Sequence, residues 1–381
     1  GRGLVLEPVL ASSVLAARLV AAQGSEAQRA RWLPGIADGS RRAAFAHIEP
    51  GVDPWEGVPG VRATRTPDGW RLDGAKPFVP DAPGANLLVV SARLGDSGDV
   101  GLFVIEPGGP GPRVERVETW DDRLAGTITF DGLALAQDAL LGGEADARAA
   151  IAEALDRANA ALCAEAVGCM QVLVDATIEY TKTRHQFGRP LSENQVLRHL
   201  MVDMAVRCEE ARAMALRAAR ACDAGGDPAA RARAVSGART KIGDDSRFVA
   251  QSAVQLHGAM GVTDELNIGS YFRRLLCIET TWGTTAEHRE RCIRLRRAGV
   301  SYNIELELSE EERLNLGKGT CTYAEALAES GQDIPLYNDL VASNSKTWDL
   351  SEKAVKEIMD AALLLCPEVM EPVLADNEEL I

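Results

Sequence analysis

The chain is short of the residues that usually give an unknown protein a quick label. Its eight cysteines, at 163, 169, 208, 222, 277, 292, 321 and 366, never form a CxxC pair, which removes the common zinc frameworks and redox dithiols. Most lie in alanine-rich helical text, where a buried, reduced thiol is expected. No uninterrupted apolar run of about 18 residues occurs, so no segment reads as a membrane span. "GRGLVLEPVL" lacks the basic, apolar and small-residue order of a secretory leader. These absences predict a cytoplasmic protein without a metal centre. No GxGxxG follows a strand, and "GKGT" at 317–320 lacks the spacing of a phosphate loop. The five histidines (47, 185, 199, 257, 288) are scattered, and neither HExxH nor a Ser-His-Asp order stands out. Any catalysis must therefore use a cofactor held in another way.

Lysine is scarce in the first 300 residues, which carry 3 lysines against 33 arginines. From Ser301 onward the usage reverses to four lysines and one arginine. That segment holds 18 acidic residues and carries −13 of the total −15. The first 300 residues, with 38 acidic and 36 basic, are close to neutral. The break after "RLRRAGV" sets 299–381 apart, either as a separate acidic module or as an appended stretch of different history. Its "SEKAVKEIMDAALLLC" has helical periodicity. An acidic chain with no basic patch makes a poor nucleic-acid partner.

What is present falls into three textures. Residues 1–42 have helical spacing, with a break at Gly24 and Ser25 as the cap of the next helix. They enter in mid-pattern, so further helices are expected upstream. Residues 43–145 change to short apolar runs between glycines and prolines, such as "AAFAHI", "GWRLDGAKPFV", "NLLVVSARL", "VGLFVIEP" and "GTITFDGLAL", the strands of a barrel or sandwich. Residues 146–298 return to long helices, at about 146–183, 193–224, 228–262, 268–280 and 284–297. In the second, Leu197, Leu200, Met201, Met204, Cys208 and Ala211 form one apolar stripe. The predicted class is α+β, with part of a helical domain, a middle β-barrel or sandwich, and a C-terminal four-helix bundle.

The most informative stretch is "YTKTRHQFGRPLSENQVLRHLMVDM" (180–204). An arginine suited to gripping a diphosphate stands beside an aromatic and a glycine where backbone can come close. The stretch resembles the RxxFGxxL…Q…LADM signature of acyl-CoA dehydrogenases. "AVQLHGAMGVTDELNIGSYFRR" (253–274) is similar to their QxxGGxGY segment. "GSEAQRARWLPGIADG…AAFAHIEPG" resembles the end of their first helical domain and first strand, and "GWRLDGAKPFV" their GxxLNGxKxWI. The four come in order over about residues 1–298. "GRGLVLEP", "AALCAEAVGCM", "YTKTRHQFG" and "YFRRLLCIETTWG" look most like the small subunit of pimeloyl-CoA-type dehydrogenases.

That resemblance implies FAD between subunits, an acyl-CoA substrate, electron-transferring flavoprotein as acceptor, and a large acyl-CoA dehydrogenase subunit or further copies of the chain as partners. By position Arg184 would hold the pyrophosphate and Phe187 pack on the cofactor. Gln255, Gly258 and Ala259 would meet the dinucleotide from a neighbouring subunit. His47, Ile48 and Phe78 would lie on the flavin side, and Thr284 would be a further cofactor contact. Ile48 stands where the family has a threonine, and "GVDPW" (51–55) replaces its "GAGSD" loop.

In the family, the turn "YEGT" supplies the glutamate that removes the α-proton. Here Trp282 takes that place in "CIETTWGTT", with Gly283 and Thr284 retained, and the other known base position aligns with Ala158. Indole offers no basic lone pair. The amide of Trp282 remains able to polarise a thioester oxygen, while its side chain is large enough to plug an acyl channel. Glu279, one turn earlier, reads either as a displaced base or as a solvated helix end. Glu165 reads as a structural pair with a neighbouring helix.

Overall fold

A computed structural model describes residues 1–106 and 111–303, with side chains as far as residue 296. The expected acidic segment 299–381, with its helical periodicity, thus lies almost wholly outside the described residues. Gly1–Cys292 form one unit, and the account below concerns that unit.

A widened helical stretch, Val9–Ala16, runs into α1 (Ala17–Gln23), and α2 follows at Glu26–Ala37. The break comes at Gly24, and Ser25 caps α2 in a reciprocal capping box. The Gln28 amide donates to Ser25 Oγ at 3.2 Å, and Ser25 N–H donates to Gln28 Oε1 at 2.9 Å. Two free helical donors are satisfied by one serine and one glutamine.

The middle region holds β1 (Ala43–Ala46), β2 (Arg62–Thr66), β3 (Gly69–Pro80), β4 (Leu87–Leu94), β5 (Val100–Ile105), β6 (Arg113–Val117) and β7 (Ala125–Ala136). They make one curled, mixed sheet in the order β1-β4-β2-β3-β7-β6, with β5 on the other edge of β4. β4 pairs in parallel with β1 and then with β2, so one strand serves two neighbours along a single edge. Register shifts in the β3–β7 pair fall between Leu72 and Gly74 and between Lys76 and Val79. The second brackets Pro77, which has no N–H for the ladder, and such a bulge re-aims the residue beside it. Phe78 is that residue, and it is 42% exposed.

The helical region consists of α3 (Arg148–Thr183), α4 (Gln195–Asp223), α5 (Pro228–His257), α6 (Ile268–Thr280) and α7 (Thr285–Asn303). A two-residue hairpin, β8 (His185–Gln186) with β9 (Arg189–Pro190), joins α3 to α4. The α4 stripe is buried at Met201, Met204, Cys208 and Ala211, and Leu197 and Leu200 pack against the same core. One expectation needs correction. α3 is long and apolar enough to cross a membrane by length and composition. It is nevertheless the central helix of the bundle, because its fully buried Asp156 and Asn159 are bonded to neighbouring elements. Charged and amide groups placed there answer partners inside the protein, which lipid would not supply.

Candidate functional site

The turn between α6 and α7 holds two consecutive residues at positive φ. Trp282 has φ 53° and Gly283 φ 111°. For a bulky residue the left-handed region costs about 1–3 kcal/mol unless its surroundings enforce it. Here they do. The Arg239 guanidinium, wholly buried, donates to the carbonyls of Ile278 (2.8 Å), Thr281 (3.1 Å) and Gly283 (3.1 Å). Asn159 of α3 donates to the Trp282 carbonyl at 3.1 Å. Burial pulls the Arg239 pKa below its ordinary value, and the converging carbonyl dipoles balance part of that loss of hydration.

Beneath this turn lies a cavity of about 490 Å³, walled by Trp282, Glu279 and Cys277 on the helical side and by Phe78, Pro80 and Asp81 at the end of β3. Its base is an ion cluster. Arg274 bonds Glu165 through two nitrogens at 2.8 and 2.9 Å and Asp121 at 2.7 Å, while Arg123 reaches Glu165 at 3.2 Å. Glu165 is thus tied to α6 and to the β6–β7 loop. Glu279 faces the cavity, but its carboxylate is held by Arg247 at 2.5 and 3.3 Å.

Asp81 escaped attention in the sequence. It sits in the left-handed region (φ 63°) at the end of β3. Burial raises its pKa to about 6 against the opposing pull of Arg123 and Arg274. A carboxyl whose folded pKa exceeds its unfolded value stabilises the protein below the unfolded pKa, and that contribution is lost as pH rises through about 6. Asp81→Asn keeps the shape and tolerates the left-handed backbone. Its stability relative to the parent is therefore expected to increase from pH 4 to pH 7, measured by urea unfolding at both values. No change in the difference between the two proteins would show that Asp81 is not buried in this way.

The residues expected on the flavin side are placed as follows. His47 is buried with both ring nitrogens engaged. Nε2–H donates to the Pro54 carbonyl (2.7 Å), and Nδ1 faces Ser91 Oγ at 2.8 Å. Burial and the nearby Lys76 lower its pKa to about 4. The Lys76 ammonium, itself buried, donates to the His47 carbonyl, Glu49 and Ser91. Ile48 is half-buried against the core. Thr284 is closed on itself: its N–H and Oγ1–H both donate to Glu287 Oε2, at 2.7 and 2.9 Å. Beside the α6–α7 turn stands Trp55, 3% exposed. Its ring meets the His288 ring edge-on at 4.9 Å and lies 4.3 Å from the Arg291 guanidinium. A methyl group on Gly283 would come within 3.0 Å of the Trp55 indole.

The remaining expected residues lie elsewhere, on the surface where α3 and α5 end. The Tyr180 hydroxyl donates to the His257 carbonyl (3.3 Å) and the two rings stack at 4.4 Å, which sets those helix ends side by side. Arg184 ends α3 with its guanidinium exposed and unbonded among the described residues. Phe187, φ 55°, tops the hairpin and is 97% exposed. Gln255, Gly258 and Ala259 are exposed at the end of α5. The expected residues are therefore divided between the interior, where Phe78 lines the cavity and His47 and Thr284 are bonded within the protein, and an open surface. Trp55, Arg239 and Arg247 were not singled out by sequence. Only the "GVDPW" departure pointed toward any of them.

Comparison with known proteins gives these features a family context. Residues 148–295 match the family model "Acyl-CoA dehydrogenase, C-terminal domain". The chain is 29% identical over 295 residues to the acryloyl-CoA reductase (NADH) of Anaerotignum propionicum, covering 73% of each. The solved structure of a Tcur3481-Tcur3483 steroid ACAD variant superposes with a TM-score of 0.68 at 34% identity, with 77% of each chain covered. PigA with FAD and proline superposes with a TM-score of 0.69 at 25% identity, over 76% of this chain and 77% of that one.

Proposed function

The chain belongs to the acyl-CoA dehydrogenase family, and from that premise we propose that it is a subunit of a hetero-oligomeric, FAD-dependent enzyme for α,β-dehydrogenation of an acyl-CoA thioester. In this reading it follows the pattern of the pimeloyl-CoA-type small subunit, and electrons leave to electron-transferring flavoprotein. The observation that carries the reading is the division of the site. The open surface suits a dinucleotide: Arg184 offers an unpaired planar fork to a diphosphate, Phe187 an apolar ledge, and Gly188 and Gly258 allow close backbone approach. In the interior the polar groups of His47 and Thr284 are already engaged within the chain.

FAD bound in such an enzyme accepts the hydride from the β-carbon. This chain's own part is to grip and orient the dinucleotide for a partner's cleft. Two observations favour that lending role over a second complete active site. The turn presents indole where a proton acceptor is needed, and the one acidic side chain of α6 that faces the cavity, Glu279, is paired with Arg247. The two-component name of the steroid ACAD relative agrees with a hetero-oligomer.

The test is co-expression with acyl-CoA dehydrogenase chains from the same genome that carry glutamate at the turn. A mixed oligomer with flavin absorbance and activity on an acyl-CoA panel is expected. Arg184→Ala in this chain removes charge-assisted bonds worth about 1.5–3 kcal/mol, so FAD affinity of the complex should fall roughly 10- to 100-fold. A well-folded variant that keeps full flavin content would defeat the assignment.

A further inference from the structure

We infer that the cavity beneath the Trp282 turn holds the acyl group of a thioester that carries a hydroxyl, and that Asp81 is the residue which selects for it. The inference deepens the substrate class proposed above and rests on that reading for the thioester part of the ligand. Binding in this chain's own cavity needs no base there, so the indole at residue 282 is no obstacle to it.

The cavity has the size and the lining for an organic ligand. Its volume of about 490 Å³ falls within the roughly 300–1,000 Å³ of small-molecule pockets. Trp282 forms one of its walls and leaves this space open. Leu10, Phe78, Pro80, Leu162 and Leu276 bring apolar surface to it from the first helical stretch, β3, α3 and α6.

Asp81 is the polar group left over. It precedes the short turn Ala82–Gly84, where an aspartate ordinarily caps the backbone with its side chain, yet it makes no such bond. Its main chain is engaged: the N–H donates to the Leu124 carbonyl at 2.7 Å, and the carbonyl accepts from the Gly84 amide at 3.1 Å. Its carboxyl accepts no hydrogen bond from the described residues. The other carboxylates of the wall differ. Asp121 is held by Arg274 at 2.7 Å and Glu279 by Arg247, while Glu7 and Glu118 are exposed to water. Asp81 is half-buried, so its carboxyl is partly stripped of water and receives no donor in exchange. That state is unfavourable until a ligand completes it. The rise of its pKa to about 6 expresses the same loss of hydration.

The surrounding charges decide which donor fits. Arg123 and Arg274 act on the Asp81 carboxyl and would repel an ammonium group, while Asp121 would repel a carboxylate. Five acidic residues and three arginines line the cavity. Arg123, Arg247 and Arg274 are each already paired with a carboxylate. An acyl group tipped with a carboxylate therefore meets excess negative charge and no free guanidinium. A neutral hydroxyl meets an open, charged acceptor and brings no charge of its own.

The experiment measures binding to the isolated full-length chain at pH 7.5 by equilibrium dialysis, for the parent, Asp81→Asn and Asp81→Gly. Both substitutions suit the left-handed backbone. Glycine removes the acceptor, and asparagine keeps a weaker, neutral one. The probes are ω-hydroxyacyl-CoAs of four to ten carbons, the unsubstituted acyl-CoAs of equal length, and the matching ω-carboxyacyl-CoAs. A further pair, 2-naphthol and 2-methylnaphthalene, carries no thioester. The parent should bind the best hydroxyacyl-CoA at least about tenfold more tightly than its unsubstituted counterpart, as a hydrogen bond to a charged group allows. The carboxyl series should bind more weakly than the hydroxyl series. Asp81→Asn should reduce the hydroxyl preference and Asp81→Gly should abolish it, with melting curves confirming that both fold. Acyl-CoAs bound without regard to the hydroxyl, a preference for the carboxyl tip, or a folded Asp81→Gly that keeps the hydroxyl preference would overturn the inference. Should 2-naphthol show the Asp81-dependent preference while no thioester binds, the thioester reading fails and selection by Asp81 stands. Binding of none of the probes overturns the ligand site itself.

Discussion

Asp156→Ala is expected to destabilise the helical region by about 3–5 kcal/mol, the cost of stripping one partner from a buried ion cluster. Asp156 is fully buried on α3, and its two oxygens face Arg291 (2.5 Å) and Arg231 (3.1 Å). Removing it leaves the Arg291 guanidinium, 5% exposed, with Ser236 and the face of Trp55 as its remaining contacts among the described residues. A melting temperature lower by on the order of 10 °C follows for a unit of this size. Asp156→Asn should cost less, because an amide oxygen still accepts one bond. Replacing Asp156 and Arg291 together by apolar residues of similar volume should recover much of the loss, since the destabilisation comes from an unpaired charge and not from the absence of a pair. Calorimetry on the three variants checks the order. A melting temperature unchanged in Asp156→Ala would mean that water reaches this cluster.

The cluster also reaches the α6–α7 turn, because Arg291 lies over Trp55, whose ring packs on Gly283. Asp156→Asn should therefore change the tryptophan fluorescence relative to the parent even where the fold survives.

Much of this architecture can be read in the sequence because it is encoded among near neighbours. Gly24 followed by Ser25 and Gln28 announces a helix end and a capping box within five residues. The strands at 69–79 and 86–94 alternate or run apolar between glycines, and the α4 stripe repeats at helical spacing. Each of these signals is local and each side chain involved does one thing. The cleft is different. Trp55 reaches His288 and Arg291 across more than two hundred residues of chain, and Arg239 gathers three carbonyls from a turn forty residues away. No periodicity carries such contacts. The loop "GVDPW" read only as a departure from a familiar pattern, with nothing to say where its tryptophan would point. Asp81 was hidden for a related reason: a single carboxylate after a proline reads as a turn residue until the opposite wall of the cavity is known. α3 shows the reverse error. An alanine-rich sequence with scattered charges did not look like a membrane-length apolar helix, yet it meets that measure, and only its buried Asp156 and Asn159 reveal that protein surrounds it.

Trp282→Glu is expected to give the isolated chain an activity that the parent lacks: exchange of the α-protons of a bound acyl-CoA with deuterated water. This reaction needs a base and a polarised thioester, and it needs no flavin. The turn is already held in shape by Arg239 and Asn159. A glutamate there would enter the same left-handed conformation and point a carboxylate into the cavity now walled by indole. Replacing the larger side chain also opens room for the thioester. A positioned general base contributes about 10²–10⁴-fold, and the residue 282 amide remains to polarise the oxygen. Mass spectrometry of the recovered acyl-CoA should therefore show exchange faster than the buffer reaction by a factor in that range. The parent should exchange far more slowly than Trp282→Glu, since Ala158 and Trp282 offer no base and Glu279 is paired with Arg247. Rapid exchange by the parent would place a working base in the cavity, and Glu279→Gln and Asp81→Asn, which keep shape and remove basicity at the carboxylates of α6 and of the β3 end, would then tell which of them it is. Failure of Trp282→Glu to exchange, in a variant shown to bind acyl-CoA, would mean that this turn no longer presents its side chain to the substrate.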